Sequence, residues 1–295
     1  MSTAYGPTVG RRKLRTAIRR AREAAGLTQE QVALAMDWSL SKLIRIESGY
    51  VSISTNDVKA LLSHYHVRDP DEVSELVRLA RISRQRTWWS QYRDSLPAAY
   101  YSYIGLEAEA SSLSFYQSVG MPGLLQTEAY ARAIISGEAT QPTPEAVEQR
   151  VAARIERQKL IHDGNLRMVA VLDEAVLHRQ IGGPDVMRAQ LAALLTASKL
   201  WNVSIQVIPF REGAYASMLS SFHILTFAES SSVVYIEGLT GDLYAEGEDV
   251  RRCTVVFNSL RASALSATAS AAMIKKIRDT EHQELGGAPW MPNGA

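Results

Sequence analysis

Cysteine is all but missing from the 295 residues. Cys253 stands alone, in the alternating apolar and charged stretch Val250–Phe257, so no intrachain disulfide and no cysteine-rich metal site can form. A buried helix cysteine accounts for it. Long apolar runs are also missing: none approaches the roughly 20 residues that a membrane span requires, and Met1–Gly10 carries no apolar signal-peptide core. The expectation is a cytoplasmic protein with no membrane partner. Absent too are a His-x-x-x-His pair, a Gly-x-Ser-x-Gly elbow and a phosphate loop. Gly182-Gly183-Pro184 is a loop that ends in a proline suited to the first position of a helix, not a phosphate cradle. No cofactor, no metal and no enzymatic activity are expected.

What is present is an ordinary globular composition, 46% apolar and 21% charged, on a chain long enough for two domains. The net charge of +1 conceals an asymmetry: residues 1–50 hold nine Lys/Arg against four acids, and the remainder carries the balancing acidic excess. A basic head on an acidic body implies that the head alone meets a polyanion.

Apolar spacing in the head predicts five short helices. Leu14 and Ile18, with Ala21 or Ala25, mark a first helix over Arg11–Ala25 that stops at Gly26. Thr28, with Gln31 three residues on, is a capping box for a second helix over Gln29–Met36. After the turn Asp37-Trp38, Ser39 caps a third over Leu40–Ser48, halted by Gly49. Two more are expected over Asp57–Tyr65 and from Asp71 to about Gln85. Beyond an aromatic junction, helices are expected at Gly105–Tyr116, Thr127–Ser136, Pro144–Asp163, Pro184–Ser198, Asp249–Ala262 and about Ala267–Thr280. β-rich runs fall at Leu166–Leu172, Val203–Pro209, Ser221–Phe227 and Val233–Glu237. The fold class expected is α+β: an all-α domain over 1–85, a junction over 86–96, and a larger α+β domain over 97–282 with an antiparallel or mixed sheet. A Gly- and Pro-rich tail, 283–295, is expected to be disordered.

A short helix, a tight turn and a helix that opens with small or polar residues are what a major groove about 12 Å wide can accept. Thr28–Gly49 meets these requirements. On the third helix Leu43 and Ile46 should face the core, which leaves Leu40, Ser41, Lys42, Ile44 and Arg45 turned outward to varying degrees. Ser41 and Arg45 are the candidates for base edges, with Leu40 suited to a thymine methyl group. Thr28, Gln29, Ser39 and Lys42 fit phosphate contacts. Trp38 is expected to cover the packing of the second and third helices.

Arg22-Glu-Ala-Ala-Gly-Leu-Thr-Gln-Glu-Gln-Val-Ala33 and Ser39-Leu-Ser-Lys-Leu-Ile-Arg-Ile-Glu-Ser-Gly49 resemble the Xre or lambda-repressor-like helix-turn-helix family. The resemblance implies double-stranded DNA as partner, transcriptional regulation and a structural ion pair between Arg22 and Glu47, and a homodimer is expected because paired half-sites about 34 Å apart multiply the specificity of one short helix. Asp37 stands where the family's turn usually carries glycine; aspartate tolerates the left-handed region, so an intact turn with some local cost is expected.

The body carries Trp88–Asp94, Gly105–Ala110, Pro122–Ala131, Val171–Ala175, Val203–Phe210 and Tyr235–Tyr244. These stretches resemble the C-terminal domain of actinobacterial Xre-type regulators, a domain without an established biochemical role. That resemblance implies a sensing or partner-binding domain, with a very small companion protein as its partner, in an antitoxin-like or scaffold role if that partner dominates. Tyr235, Glu237, Gly238, Gly241, Asp242 and Tyr244 are the candidate contact surface. Asp173, Glu174, His178, His223, Glu237 and Asp242 are the polar residues nearest to expected strand ends, where a site would be built.

Overall fold

The computed structural model describes residues 6–49, 51–138, 141–238 and 241–280. The tail expected over 283–295 lies outside the described residues. The chain forms two compact units, residues 1–91 and 92–295.

Among the described residues the first unit contains five α-helices: α1 (Pro7–Ala24), α2 (Gln29–Ala35), α3 (Leu40–Glu47), α4 (Thr55–His64) and α5 (Pro70–Ile82). Side-chain oxygens of Thr28, Ser39, Ser54 and Asp69 accept backbone N–H groups at the starts of α2 to α5, so four of the five helices open on a capping residue. Thr28 and Gln31 close a reciprocal capping box. Leu14, Ile18, Val32, Leu43, Ile46, Val58, Leu61 and Leu79 pool into one core. α1 begins four residues earlier than its apolar spacing indicates. Pro7 presets the first turn, and a methyl group on Gly10 would stand 3.3 Å from Ile82, so the extra turn is held against α5.

The second unit is built on a six-stranded mixed sheet of order β3-β2-β1-β4-β5-β6. Its elements are α6 (Ala98–Glu109), β1 (Ser112–Gln117), α7 (Glu128–Ser136), α8 (Pro144–Arg157), α9 (Lys159–His162), β2 (Arg167–Asp173), α10 (Ala175–His178) and α11 (Pro184–Ala197). There follow β3 (Val203–Ile208), β4 (Phe222–Thr226), β5 (Val233–Ile236), β6 (Leu243–Ala245), α12 (Glu248–Ser263) and α13 (Ala267–Thr280). β1, β2 and β3 run parallel, and β4, β5 and β6 join antiparallel, with Phe115 opposite both Ala170 and His223. Phe257 and Leu260 of α12 cover one face, against Tyr116, Val171, Ile208, Phe222 and Val234. The alternate residues Leu113, Phe115, Ala170, Leu172, Ile205 and Leu225 are buried as well, so both faces are covered.

Two expectations need correction. The helix expected over Gly105–Tyr116 is two elements, α6 and then the central strand β1. The second half of that stretch alternates polar and apolar over Ser112-Leu-Ser-Phe115, and pairing with β2 on one side and β4 on the other makes it a strand. The helix expected over Pro144–Asp163 breaks at Gln158, whose side-chain amide donates to the carbonyl of Gln126. The outer edge of β3 is covered by the α12–α13 connection and the first turn of α13: the amide of Val207 donates to Ser270 Oγ at 2.9 Å and its carbonyl accepts from the Leu265 amide at 2.9 Å.

Candidate nucleic-acid interface

Residues 28–49 form a helix, a turn and a second helix. Asp37 takes the left-handed conformation at φ +53°, and the next amide, Trp38, donates back to Ala33 O at 2.8 Å. This closes α2 and fixes where α3 begins. Trp38 packs against the core and carries the Lys42 ammonium 3.7 Å from the centre of its ring, while Lys42 Nζ lies 3.9 Å from Asp57. Lys42 is thus tethered on the flank of α3, whereas Ser41 and Arg45 are exposed.

Beneath α3, Arg22 Nε and Nη2 donate to the two carboxylate oxygens of Glu47 at 2.7 and 3.0 Å, and Nη1 donates to Leu27 O at 2.8 Å. Glu47 also accepts from Gln29 Nε2 at 2.7 Å, so one buried carboxylate ties α1, the start of α2 and the end of α3 together. The bond to Glu47 raises the Arg22 pKa against the opposing effect of burial, and burial raises that of the neighbouring Tyr65. Gln29 therefore has one amide hydrogen committed inside the protein. Thr28 remains exposed at the cap, and the carboxyl of Glu30 is held below its ordinary range by its own backbone N–H and the Thr28 hydroxyl.

Arginines of α1 have partners that spacing does not reveal. Arg11 Nη2 donates to Ser83 O at 2.9 Å, and Arg15 Nη1 donates to Ser48 O at 3.0 Å, satisfying a carbonyl at the end of α3. Gly49 takes φ +82°, a conformation that L side chains rarely adopt, so the backbone calls for glycine there, and a Cβ would also press on the Arg15 guanidinium at 2.9 Å.

Comparison with known proteins supplies two matches. Residues 13–76 match the model of a helix-turn-helix domain. Residues 100–276 match that of a domain of unknown function, DUF5753. The chain belongs to the DUF5753 family. No curated protein and no solved structure matches it.

Within the DUF5753 domain the stretch Pro122–Ala131 is a junction for buried polar groups. Gly123 leaves room for arginine: a methyl there would sit 3.3 Å from Arg157 Nη1 and 3.8 Å from Arg154 Nε. Arg157 is clamped by Glu107 through two bonds of 2.7 Å, with both side chains almost wholly buried, and it also donates to the Tyr100 hydroxyl. Burial opposes its charge, and the Glu107 carboxylate overcomes that and raises its pKa. Gln126 accepts from Arg154 and donates to Met121 O, while Thr127 caps α7.

The polar residues near strand ends do not converge. Asp173 accepts from the Tyr215 hydroxyl and the Ala175 amide, and Glu174 accepts from the Phe210 amide and contacts His178 at 3.3 Å. His223 lies between the Tyr103 hydroxyl, 2.7 Å from Nδ1, and the Gln117 amide, 3.0 Å from Nε2, and burial lowers its pKa to about 3. In the stretch Tyr235–Tyr244, Tyr235 is buried and donates to Asp242, and the Tyr244 hydroxyl donates to Ala99 O. Glu237, Gly238 and Gly241 are its exposed candidates; Leu239 and Thr240 lie outside the described residues.

Ion-pair partners twenty-five and fifty residues apart, Arg22–Glu47 and Glu107–Arg157, carry no local sequence signal. No helix among the described residues is long and apolar enough to cross a membrane.

Proposed function

We propose that this protein is a sequence-specific, DNA-binding transcriptional regulator of the Xre type. It inserts α3 into the major groove, and its DUF5753 domain regulates that binding. The observation that carries the reading is the arrangement over residues 28–49: two capped helices across an Asp37 turn, with Ser41 and Arg45 exposed on the second. Arg45 reads a base edge, Ser41 and Leu40 lie beside it, and Thr28, Gln29, Ser39 and Lys42 position the phosphates. A homodimer goes with this reading, because paired half-sites about 34 Å apart multiply the specificity of one eight-residue helix. Such a role belongs in the cytoplasm. The regulatory input is a partner or effector of the DUF5753 domain, with the exposed turn around Glu237, Gly238 and Gly241 as the surface for a small companion protein.

Selection of duplexes from a random pool by the full-length protein, followed by anisotropy titrations, tests the reading. A recurring, two-fold-related sequence bound more tightly than scrambled DNA is expected. Recovery of no preferred sequence, or equal binding by Arg45→Ala, overturns it.

A further inference from the structure

The outward face of α3 is more apolar than a merely polar reading helix requires. Leu40 and Ile44 retain 37% and 40% of their surface, against 0% and 3% for Leu43 and Ile46 on the core side. They are four residues apart and so stand one above the other on a single face. The neighbouring row is formed by Ser41 and Arg45, which are also exposed. Of the two cations on this helix, Lys42 is drawn over Trp38, which leaves Arg45 beside the apolar row. A duplex offers one apolar group on its major-groove base edges, the 5-methyl of thymine. The surrounding head carries the excess of positive charge that draws in a polyanion.

We infer that Leu40 and Ile44 together form an apolar reading strip for thymine methyl groups, two in each half-site, so that part of the sequence preference is hydrophobic. Ile44 becomes a specificity-determining residue beside Arg45. This rests on the DNA-binding reading above and specifies what kind of site that reading selects.

The test uses full-length protein and its selected duplex, with each thymine of the half-site replaced in turn by deoxyuridine, which deletes the methyl and keeps every hydrogen-bonding group. A loss of about fourfold per contacted methyl is expected, the worth of burying one methyl-sized group. Ile44→Ala and Leu40→Ala, at exposed positions, should bind thymine and uracil duplexes alike at the position each residue reads. Melting curves matching wild type would show that both variants fold. Wild-type protein that binds its selected duplex but ignores every thymine-to-uracil change overturns the strip and leaves DNA binding standing. Discrimination that survives both alanine substitutions also overturns it, by assigning the methyl contact elsewhere. Failure to select any duplex removes the DNA-binding reading and the strip with it.

Discussion

Glu47→Ala should unfold the first unit far more readily than a surface substitution would. The change removes the acceptor for Arg22 Nε, Arg22 Nη2 and Gln29 Nε2 at once, and leaves Arg22 its bond to Leu27 O and a longer 3.9 Å contact with the exposed carboxylate of Glu23. The two side chains are 11% and 4% exposed, and stranding one partner of a buried pair costs about 3–5 kcal/mol. A recess of about 540 Å³ bordered by Arg19, Gly26, Thr28 and Ser48 opens beside the pair, so water reaches the freed guanidinium and the cost falls toward about 2–3 kcal/mol. For a unit of this size that corresponds to a drop of roughly 10–20 °C in its melting temperature. Differential scanning calorimetry of the full chain measures the drop, and hydrogen exchange of peptides from α1 to α3 assigns it to this unit. The double variant Arg22→Met/Glu47→Leu, which strands no charge, should lie within about 1 kcal/mol of wild type. A loss below about 1 kcal/mol in Glu47→Ala would refute the reasoning, because the carboxylate would then not be the tie among the three helices.

Arg45→Ala should weaken binding to the selected duplex by about 1–3 kcal/mol, roughly 5- to 150-fold, and relax the preference at one base pair; anisotropy titrations against single-position variants of the duplex would show it. Gly49→Ala forces a left-handed alanine at φ +82° against Arg15 and should cost about 1–2 kcal/mol in a thermal melt. Between pH 7 and 5 the DUF5753 domain should lose stability. His223 is held neutral down to about pH 3 in the fold but takes up a proton near pH 6.5 when unfolded, so the unfolded state binds more protons across that window. The loss should reach about 1–2 kcal/mol at pH 5, and urea titrations of His223→Gln should show a flatter pH dependence. Gly123→Ala should also destabilise that domain by about 1–2 kcal/mol, since Arg157 is clamped by Glu107 and cannot yield; the same urea titrations read it.

The helices of the first unit were legible because their signals are local. A capping residue and an apolar residue every three or four positions lie within ten residues of one another at α2 and α3, and Gly49 closes α3. In the second unit the strands β2 to β5 could be located from alternation or β-rich runs, whereas β1 was read as the end of a helix and the three-residue β6 was not foreseen. β6 is too short to show a period, and β1 alternates only over Ser112-Leu-Ser-Phe115 before the buried Tyr116 breaks the pattern, directly after a helix.

The candidate site divides along the same line. Sequence by itself determined which helix presents Ser41 and Arg45, since caps and apolar spacing set the rotation of α3 about its own axis. Tertiary structure alone decided what those side chains are free to do. It drew Lys42 over Trp38, engaged Gln29 with Glu47, turned Arg11 and Arg15 onto backbone carbonyls, and left Leu40 and Ile44 uncovered. The physical reason is range: capping and periodicity act within a turn or two of chain, whereas, apart from the one-turn contact of Lys42 with Trp38, these bonds join residues 18 to 72 positions apart.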